Sequence, residues 1–395
     1  MNSGRGFRPV IIGQFGPPVL ACLRSWGRQG WTPGFVWLAG KGNAPPASRY
    51  LDDWIRLDPG LLHTEKGLLA VRAYLESFNA DGLLCIQEDL AMWLDRNRDF
   101  FKGFSLWLPP AENVQRVLSK SCQIEAAGKA GLSNLPTYYL DKRNSSNILH
   151  SVPEDHIPLC VRPGGEGGVV PNFKVEFIET PGQGLDFIRN FEIIEKPLIA
   201  QPYKNLPNLV VHGARSADGS VYGLQGFLVA RKFQGLTLTI RALDLPGEVG
   251  RGCRDFIREL DIVGNFHFEF LYDPVSQDAY FMEINTRLGG TTAKVFSCGY
   301  DEPVLALQAF GEEVVLDDRV RNCTASSKLA LMKYLYYTVA GRITPLDYPI
   351  ESKWKRFGNT LRGLAFYRDD IISFRDLKGT LAFYRQALLG KISFL

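Results

Sequence analysis

Short apolar runs alternate with longer amphipathic stretches through the first third of the chain. RPVIIG and GFVWLAG have the length and composition of buried strands, whereas VLACLRSWGRQG and LLAVRAYLESFNADGLLCI begin with apolar residues at helical spacing. Strands that alternate with helices in this way are typical of βαβ units. The pattern therefore predicts an α/β domain with a parallel sheet.

A Pro-Pro pair at 109–110 interrupts this pattern, and a domain boundary is predicted near residue 112. SKSCQIEAAGKAGLSNLPTYYL predicts a helix that ends near Gly131 and an extended run after it. IPLCVR and EKPLIAQPY have the composition of strands. VVHGARSADGSVYGLQGFLVARKF and FHFEFLYDPVSQDAYFMEINTR each indicate two antiparallel strands. The middle of the chain is therefore predicted to be α+β.

The stretch YFMEINTRLGG carries an unusual set of polar residues for a strand. Because side chains alternate between the two faces of a strand, Glu283, Asn285 and Arg287 share one face, while Met282 and Ile284 share the other. A face with this composition is too polar to serve packing alone. The plainer alternative is a surface strand edge that carries a Glu–Arg pair.

Folding the two strands back about Ser276, in the turn at 273–278, brings a second carboxylate to this face. The pairs expected across the hairpin are Tyr272 with Tyr280, Glu269 with Glu283, and His267 with Asn285. Carboxylates that face each other repel unless a cation lies between them. Carboxylate and amide oxygens are ligands that Mg²⁺ accepts, so Glu269, Glu283 and Asn285 are the predicted metal ligands.

A glycine-rich segment follows the strand that ends at Arg162. Its glycines are Gly164, Gly165, Gly167 and Gly168. Because glycine has no side chain, the backbone N–H groups of such a segment can approach phosphate oxygens closely. The Arg162 guanidinium adds positive charge beside it. The segment is therefore predicted to be a phosphate-binding loop that moves over its ligand. An ordinary β-hairpin turn is the alternative.

Composition narrows the range of partners. The chain has 395 residues with a net charge of +3, so its overall charge does not favour nucleic acid or an acidic membrane. Its seven cysteines are scattered without metal-ligand spacing, which fits a reducing, cytoplasmic compartment. No apolar run reaches the roughly 18 residues of a membrane span, and the first apolar run is too short for a signal peptide.

Two further segments admit more than one interpretation. The loop at residues 13–18 suggests a dinucleotide site, but Val19 stands where the GxGxxG pattern needs a third glycine, which argues against a nicotinamide-dependent oxidoreductase. Near the C-terminus, AFYR occurs twice, and from Lys353 onward there are nine basic residues against three acidic ones. Two amphipathic elements packed on the body are expected there. A helix that binds a membrane surface or a partner is the alternative.

Together these features resemble the ATP-grasp superfamily. FEFLYD followed by AYFMEINTRLGG is similar to its metal-binding hairpin, and Lys120 in LSKSCQIEAAGKAGLSNLPTYY resembles its first nucleotide-binding lysine. The resemblance covers about residues 115–315 and is nearest to carboxylate–amine ligases of the D-aspartate ligase kind. It implies a Rossmann-like domain over 1–112, an ATP-grasp small lobe over 113–200, a large lobe over 201–325 and a C-terminal appendage over 326–395.

The resemblance also implies a role for each candidate residue. Lys120, Arg162 and the glycine-rich loop would hold the phosphates of ATP, and Arg231 and Arg287 the transferred phosphoryl group. Gln201 would bind adenine and Asn208 ribose, and Tyr203 is a further nucleotide-binding residue. Two Mg²⁺ ions, for which Mn²⁺ can substitute, would bind the hairpin ligands. The family usually has lysine in place of Arg162 and acidic residues in place of Gln201 and Asn208.

The activity that the resemblance implies is ATP-dependent ligation. A substrate carboxylate would take the γ-phosphate of ATP to give ADP and an acyl phosphate, which an amine would capture as an amide. The expected partners are small carboxylates and amines such as amino acids, with a homodimer as one expected assembly. A non-catalytic nucleotide-binding or regulatory protein is the alternative. Gln201 and Asn208 favour it, and the intact EINTR set argues against it.

Overall fold

The computed structural model describes residues 6–40, 42–165, 168–316 and 319–389, apart from the side chain of Gln115. Within these residues no helix has the length and the apolar character needed to cross a bilayer.

The N-terminal part is a parallel sheet between two layers of helices. Its strands and helices are β1 Pro9–Gly13, α1 Pro17–Arg28, β2 Gly34–Leu38, β3 Asp53–Leu57, α2 Glu65–Phe78, β4 Gly82–Cys85, α3 Glu88–Arg96 and β5 Ser105–Leu106. The strands lie in the order β3-β2-β1-β4-β5, and neighbouring strands run parallel. Apolar clusters on both faces bury β1, β2 and β4 throughout, as expected for continuous apolar runs. The predicted α/β architecture is confirmed.

A smaller antiparallel sheet follows. The elements of this part are α4 Ala111–Val117, α5 Lys120–Lys129, β6 Ser133–Asn134, β7 Tyr138–Leu140, α6 Ser145–Ser151, β8 Leu159–Arg162, β9 Val169–Val170, β10 Glu176–Ile178, α7 Pro181–Arg189, β11 Ile193–Ile194 and β12 Leu198–Pro202. The sheet has the order β10-β8-β12-β7, and β9 pairs with β11 beside it. Gly131 follows α5 with a φ of +72°, a conformation that favours glycine, so the predicted end of this helix is confirmed.

A large, mainly antiparallel sheet forms the centre of the molecule. The next elements are β13 Asn208–Arg215, β14 Val221–Phe233, β15 Leu236–Leu243, α8 Gly247–Glu259, β16 Gly264–Tyr272, β17 Ala279–Asn285, α9 Thr292–Ser297 and α10 Glu302–Gln308. The strand order is β19-β18-β15-β14-β13-β16-β17-β6, in which β18 (Thr324–Ser326) and β19 (Arg368–Asp369) come from the C-terminal part. One face packs on α5 and α8 through a phenylalanine-rich cluster, and the other packs on α9 and α10. The predicted α+β arrangement is confirmed.

The C-terminal part attaches to two regions of the molecule. Its elements are β18 Thr324–Ser326, α11 Lys328–Val339, α12 Lys353–Phe366, β19 Arg368–Asp369 and α13 Leu377–Leu388. Strand β19 pairs with β18 at the edge of the large sheet. Helix α13 instead packs on the N-terminal domain, where Phe383 shares an apolar cluster with Leu20 of α1 and Leu307 of α10. The segment expected as an appendage therefore connects the first domain to the large sheet.

Asp376 fixes α13 to the N-terminal domain. Its buried carboxylate accepts hydrogen bonds from Arg24 Nε at 2.9 Å, from the Arg49 N–H at 2.8 Å and from the Gly379 N–H at 3.1 Å. Burial alone would raise the pKa of Asp376, but the Arg49 and Arg24 donors outweigh burial and hold the pKa below its ordinary value.

We expect Asp376→Asn to lower the free energy of unfolding by about 3–5 kcal/mol at neutral pH, because it leaves the buried Arg24 guanidinium without its counter-charge. Asp186→Asn removes a carboxylate that pairs with Arg189 in solvent, and it should leave the free energy of unfolding nearly unchanged. Urea unfolding of the two variants and the unsubstituted protein measures the difference.

The lowered pKa of Asp376 also sets the pH dependence of this contribution. The stabilisation is fully present above the ordinary carboxyl pKa of about 3.9 and is lost as the pH falls through the lower pKa of the folded protein. The stability difference between Asp376→Asn and the unsubstituted protein should stay constant above about pH 5 and shrink below about pH 4. A difference that persists undiminished into strong acid would contradict the assignment.

Candidate active site

Two carboxylates face each other across the β16–β17 hairpin. Glu269 pairs in register with Glu283, and His267 pairs with Asn285, both as the sequence predicts. The prediction that Tyr272 pairs with Tyr280 is wrong, because a β-bulge at Met282 adds one residue to β17 and shifts the register. Tyr272 lies opposite Ala279 instead.

Cations neutralise Glu283. The Lys120 ammonium donates a hydrogen bond to Glu283 Oε2, and Arg162 Nη1 lies 3.6 Å from the same oxygen. Burial alone would raise the pKa of Glu283, but Lys120 and Arg162 outweigh it and hold the pKa below its ordinary value. Asn285 Nδ2 donates to Glu283 Oε1 at 3.2 Å, which leaves its amide oxygen for another partner.

Glu269 is less well compensated than Glu283. Burial and the neighbouring Glu283 raise its pKa, whereas a hydrogen bond from Asn208 and the charges of Lys120 and Arg287 lower it only in part. The Asn208 amide donates to Glu269 Oε2 at 3.2 Å. Two carboxylates, one of them only partly compensated, thus lie beside the Asn285 amide oxygen, for which the described residues show no hydrogen bond.

This set of oxygen atoms fits a hard divalent cation. Mg²⁺ is bound in proteins by one or two carboxylates together with substrate phosphates and water, and an amide oxygen suits the same shell. The facing position of Glu269 and Glu283, with the charge of Glu269 compensated only in part, is the observation that favours a cation here. Glu269, Glu283 and Asn285, the three ligands predicted from the sequence, are therefore well placed to hold one.

The glycine-rich loop is attached to the start of α5. The Lys120 N–H donates to the Gly164 carbonyl at 3.3 Å, and Ser119 and Gly165 form a β-bridge. A side chain at Gly164 would place its Cβ 2.2 Å from the Pro197 carbonyl oxygen, so only glycine fits. Gly168 has a φ of +100°, and the predicted loop residue Gly167 lies outside the described residues. The loop root thereby lies next to Lys120.

Arg162 connects the small sheet to the metal hairpin. Its Nη2 donates to the Met282 carbonyl at 2.9 Å and to Gln201 Oε1 at 3.1 Å. The Met282 carbonyl is available because the bulge takes this residue out of the ladder. Gln201 in turn donates to Thr137 Oγ1 at 2.9 Å, so its side chain faces the site from β12.

Tyr203 and Asn208 flank the hinge between the two sheets. The Tyr203 hydroxyl donates to the Pro345 carbonyl, and its ring meets Phe177 edge to face at 4.9 Å. The Asn208 side chain lies between Glu269 and Lys232, whose ammonium lies 3.2 Å from Asn208 Oδ1. Asn208 therefore joins the cluster of charges, and Tyr203 contacts the C-terminal part.

Lys232 is the basic side chain of FLVARKF that the structure brings to the site. Arg231, which the sequence assigned to the phosphoryl group, donates to Tyr334 at 3.2 Å and pairs with Glu351 at 2.9 Å. The pairing of β14 with β15 is irregular on both sides of Arg231, and Lys232 rather than Arg231 reaches Asn208. Burial lowers the pKa of Lys232 to about 8, although Glu269 opposes the shift.

Arg287 meets the N-terminal domain across a small cavity. Its Nη2 lies 3.3 Å from Glu88 Oε1, at the start of α3. The cavity has a volume of about 290 Å³ and is lined by Ile86, Gln87, Glu88, Asp89 and Arg287. Arg287 is also near enough to lower the pKa of Glu269. Opposite charges therefore line a cavity beside the predicted metal ligands.

A buried polar network lies behind the hairpin ligands. Glu302 accepts hydrogen bonds from Thr292 Oγ1 at 2.6 Å and pairs with His212 Nδ1 at 2.9 Å, and the His212 and His267 rings stack at 5.3 Å. The ligand-type atoms of His212, His267 and Glu302 lie within 4.8 Å of one another. Because His212 and Glu302 already have partners at these atoms, we interpret the cluster as support for His267.

His267 lies against Glu269, with 3.9 Å between Nε2 and Oε1. Burial and the His212 ring lower the pKa of His267 to about 3, so it is neutral at physiological pH. A Cβ at Gly289 would come within 2.6 Å of His267 Cε1, so glycine is needed where the chain passes this ring. No sequence signal identified the His212 and Glu302 partners, which are distant in the chain.

Comparison with known proteins finds one matching family and several structures with the same fold. Residues 245–300 match the family described as carbamoyl-phosphate synthase L chain, ATP binding domain. Comparison with curated proteins gave no match.

Solved structures with the same fold include three enzymes. The biotin carboxylase domain dimer of Hydrogenobacter thermophilus 2-oxoglutarate carboxylase, in complex with MgADP, ADP and bicarbonate, has a TM-score of 0.63 at 15% identity over 81% of this chain and 74% of that chain. L-amino acid ligase from Bacillus licheniformis has a TM-score of 0.58 at 17% identity over 82% and 79%. N5-carboxyaminoimidazole synthetase from Staphylococcus aureus has a TM-score of 0.60 at 14% identity over 84% and 86%. The ATP-grasp fold expected from the sequence is confirmed.

Substitution of the two neighbouring cations should separate their roles. We expect Lys232→Met to raise the dissociation constant for MgATP roughly 10- to 100-fold, because a charge-assisted contact to phosphate is lost. Arg231→Met should leave the dissociation constant nearly unchanged and lower the free energy of unfolding by about 3 kcal/mol, because Glu351 then lacks its buried partner. Calorimetric titration with a non-hydrolysable ATP analogue and thermal unfolding measure the two effects. If Arg231→Met weakens MgATP binding and Lys232→Met does not, the phosphate contact belongs to Arg231 instead.

Proposed function

Because the chain has the ATP-grasp fold, we propose that it is an ATP-dependent ligase that joins a small carboxylate to an amine. The observation that carries the proposal is the combination of the facing carboxylates Glu269 and Glu283 with a charged cavity at Arg287, directly beside them. The first feature suits a metal-bound nucleotide, and the second suits a small substrate that carries charges of its own.

Lys120 and Arg162 are the residues proposed to hold the α- and β-phosphates. Both now neutralise Glu283, and both would exchange this carboxylate for phosphate oxygens when nucleotide and metal arrive together. Lys232, adjacent to Asn208 and Glu269, is placed to meet the terminal phosphate. Bound Mg²⁺ would supply charge neutralisation across the phosphates from Glu269, Glu283 and Asn285.

The Arg287 cavity is proposed to hold the carboxylate that reacts. A guanidinium presents a planar pair of donors that matches a carboxylate, and the buried Nε of Arg287 has no hydrogen-bond partner among the described residues. Glu88 and Asp89 on the opposite wall suit an ammonium group. An amino acid carries both charges, so we propose amino acids as the substrate class.

The proposed reaction has two steps. A carboxylate oxygen of the first substrate attacks the γ-phosphorus of ATP, and ADP leaves as the acyl phosphate forms. The nitrogen of the amine then attacks the acyl carbon, loses its proton and expels phosphate to leave an amide. The contribution of the protein is positioning and charge neutralisation rather than covalent catalysis.

A non-catalytic nucleotide-binding protein remains the second candidate, because Gln201 and Asn208 replace residues that are usually acidic. Both side chains are nevertheless bonded into the cluster, Gln201 to Arg162 and Asn208 to Glu269. This arrangement supports a working site. The homodimer expected from the sequence stays a prediction for this chain, as does its cytoplasmic location.

Hydroxylamine tests the proposed intermediate without knowledge of the natural amine. Incubation with ATP, Mg²⁺, hydroxylamine and a panel of amino acids should yield a hydroxamate together with ADP, because hydroxylamine captures acyl phosphates. Hydrolysis of ATP alone cannot produce a hydroxamate. Formation of AMP, or of a phosphorylated alcohol without hydroxamate, would replace the ligase proposal with adenylation or kinase chemistry.

Glu283→Gln tests the metal assignment in the same assay. The substitution keeps the shape of the side chain and removes one ligand charge, so Mg²⁺-dependent turnover should fall by about 100-fold or more while the fold survives. Glu259→Gln, on the exposed end of α8, is the matched control and should keep full activity. Equal activity of Glu283→Gln and the unsubstituted protein at limiting Mg²⁺ would remove the assignment.

Glu88→Gln tests the assignment of the cavity. If Glu88 binds a substrate ammonium, its loss should raise KM for the amino acid about tenfold or more and leave the dissociation constant for MgATP unchanged. Carboxylates that lack an amino group should be affected much less. If KM rises equally for amino acids and for carboxylates that lack an amino group, Glu88 acts only by holding Arg287.

A further inference from the structure

Among the residues that the structure describes, helix α13 packs against the rest of the protein on one side only. Gly379, Phe383 and Ala387 are buried against the N-terminal domain. On the opposite side, Leu381 is 68% exposed and Leu388 is 80% exposed. A helix normally turns its leucines toward the core, so leucines on the solvent side of a helix that already has a packed face need another explanation.

The exposed leucines form one continuous stripe. At about 100° per residue, Leu377, Leu381 and Leu388 fall within about 40° of one another around the helix axis. Phe374, in the turn that leads into α13, is 88% exposed. Four large apolar side chains are thus presented to solvent along a single element.

Basic residues flank the leucine stripe. Arg375, Lys378 and Arg385 are exposed, and Lys378 and Arg385 lie beside the leucines on the helical wheel. The acidic residue of this segment, Asp376, is buried and paired with Arg24. Between residues 374 and 389, all of which the structure describes, the exposed surface therefore carries positive charge without a negative one.

This combination limits what can cover the face. A second copy of the chain docked through the same face would bring two sets of basic residues together, and like charges repel. An anionic lipid surface is complementary in both respects: it attracts the basic side chains and accepts leucine and phenylalanine at the level of the acyl chains. Lys378 and Arg385 are long enough to keep their charges among headgroups while the leucines are immersed.

We propose that Phe374 and the exposed face of α13 bind the surface of a membrane that contains anionic lipids. The helix would lie in the plane of the interface, held on its inner side by the N-terminal domain through Asp376 and Phe383. Attachment of this kind is peripheral, because α13 would lie on the bilayer and not cross it. The inference rests on the surface of α13 and is independent of the proposed ligase activity.

Sedimentation with lipid vesicles tests the proposal on the full chain. The protein should sediment with vesicles of phosphatidylcholine mixed with phosphatidylserine, and should remain in the supernatant with phosphatidylcholine alone. Added sodium chloride should release it, because salt screens the attraction of the basic residues. Equal binding to the two kinds of vesicle, or no binding to either at low salt, would overturn the proposal.

Two variants assign the binding to α13. Leu381→Gln with Leu388→Gln should weaken vesicle binding at least about tenfold by removing buried apolar area. Lys378→Gln with Arg385→Gln should weaken it about tenfold or more by removing two charges near the surface. Because all four side chains are exposed, thermal unfolding should be unchanged in both variants.

The controls separate the remaining explanations. Leu69→Gln replaces a leucine of the N-terminal domain that is 52% exposed and should bind vesicles like the unsubstituted protein. Trp354→Gln replaces an exposed aromatic residue of α12 that also lies among basic residues. If it abolishes binding while the α13 variants do not, the proposed location is wrong. Self-association that Leu381→Gln disrupts in sedimentation velocity would replace the membrane with a second copy of the chain.

Discussion

The repulsion between Glu269 and Glu283 is the constraint around which the site is built. Antiparallel pairing holds the two carboxylates opposite each other in a half-buried position, where water screens their charges only in part. Lys120 and Arg162 relieve Glu283, and Asn208 relieves Glu269 in part. These partners lie on three different elements, Lys120 on α5, Arg162 on β8 and Asn208 on β13. The two carboxylates of the hairpin therefore form contacts with all three elements. A metal-bound nucleotide would satisfy the same charges more completely.

This constraint also links the N-terminal domain to the chemistry. Arg287 follows the hairpin directly and reaches Glu88 on α3, so the cavity between them exists only when both domains are in place. The C-terminal part reinforces that arrangement, because Asp376 holds α13 on α1 and β19 extends the large sheet. Substrate recognition is therefore expected to depend on contacts remote from the metal ligands.

The sequence predicted the elements better than the details of their pairing. The alternation of strand and helix patterns was sufficient to predict the parallel sheet, because it is a local feature of the sequence. The facing pair Glu269 and Glu283 was predictable because it depends only on side-chain alternation and on the position of one turn. Irregular strand pairing was not predictable from alternation, because a bulge is set by contacts with other strands. A bulge in β17 shifted Tyr272 away from Tyr280, and the pairing of β14 with β15 is irregular beside Arg231. The resemblance implied Arg231 for the phosphoryl group, whereas the structure places Lys232 beside Asn208. The contact between Glu88 and Arg287 joins residues about 200 positions apart, and no spacing rule reaches that far.

The central claim is that the strained pair Glu269 and Glu283 is maintained for a metal-bound nucleotide. Thermal unfolding of Glu269→Gln with and without MgADP tests it most directly. Without ligand, the variant should be as stable as the unsubstituted protein or more stable, because one of two repelling charges is gone. With MgADP, the rise in unfolding temperature shown by the unsubstituted protein should be lost. A variant that is destabilised without ligand and still gains the full increase from MgADP would contradict the account.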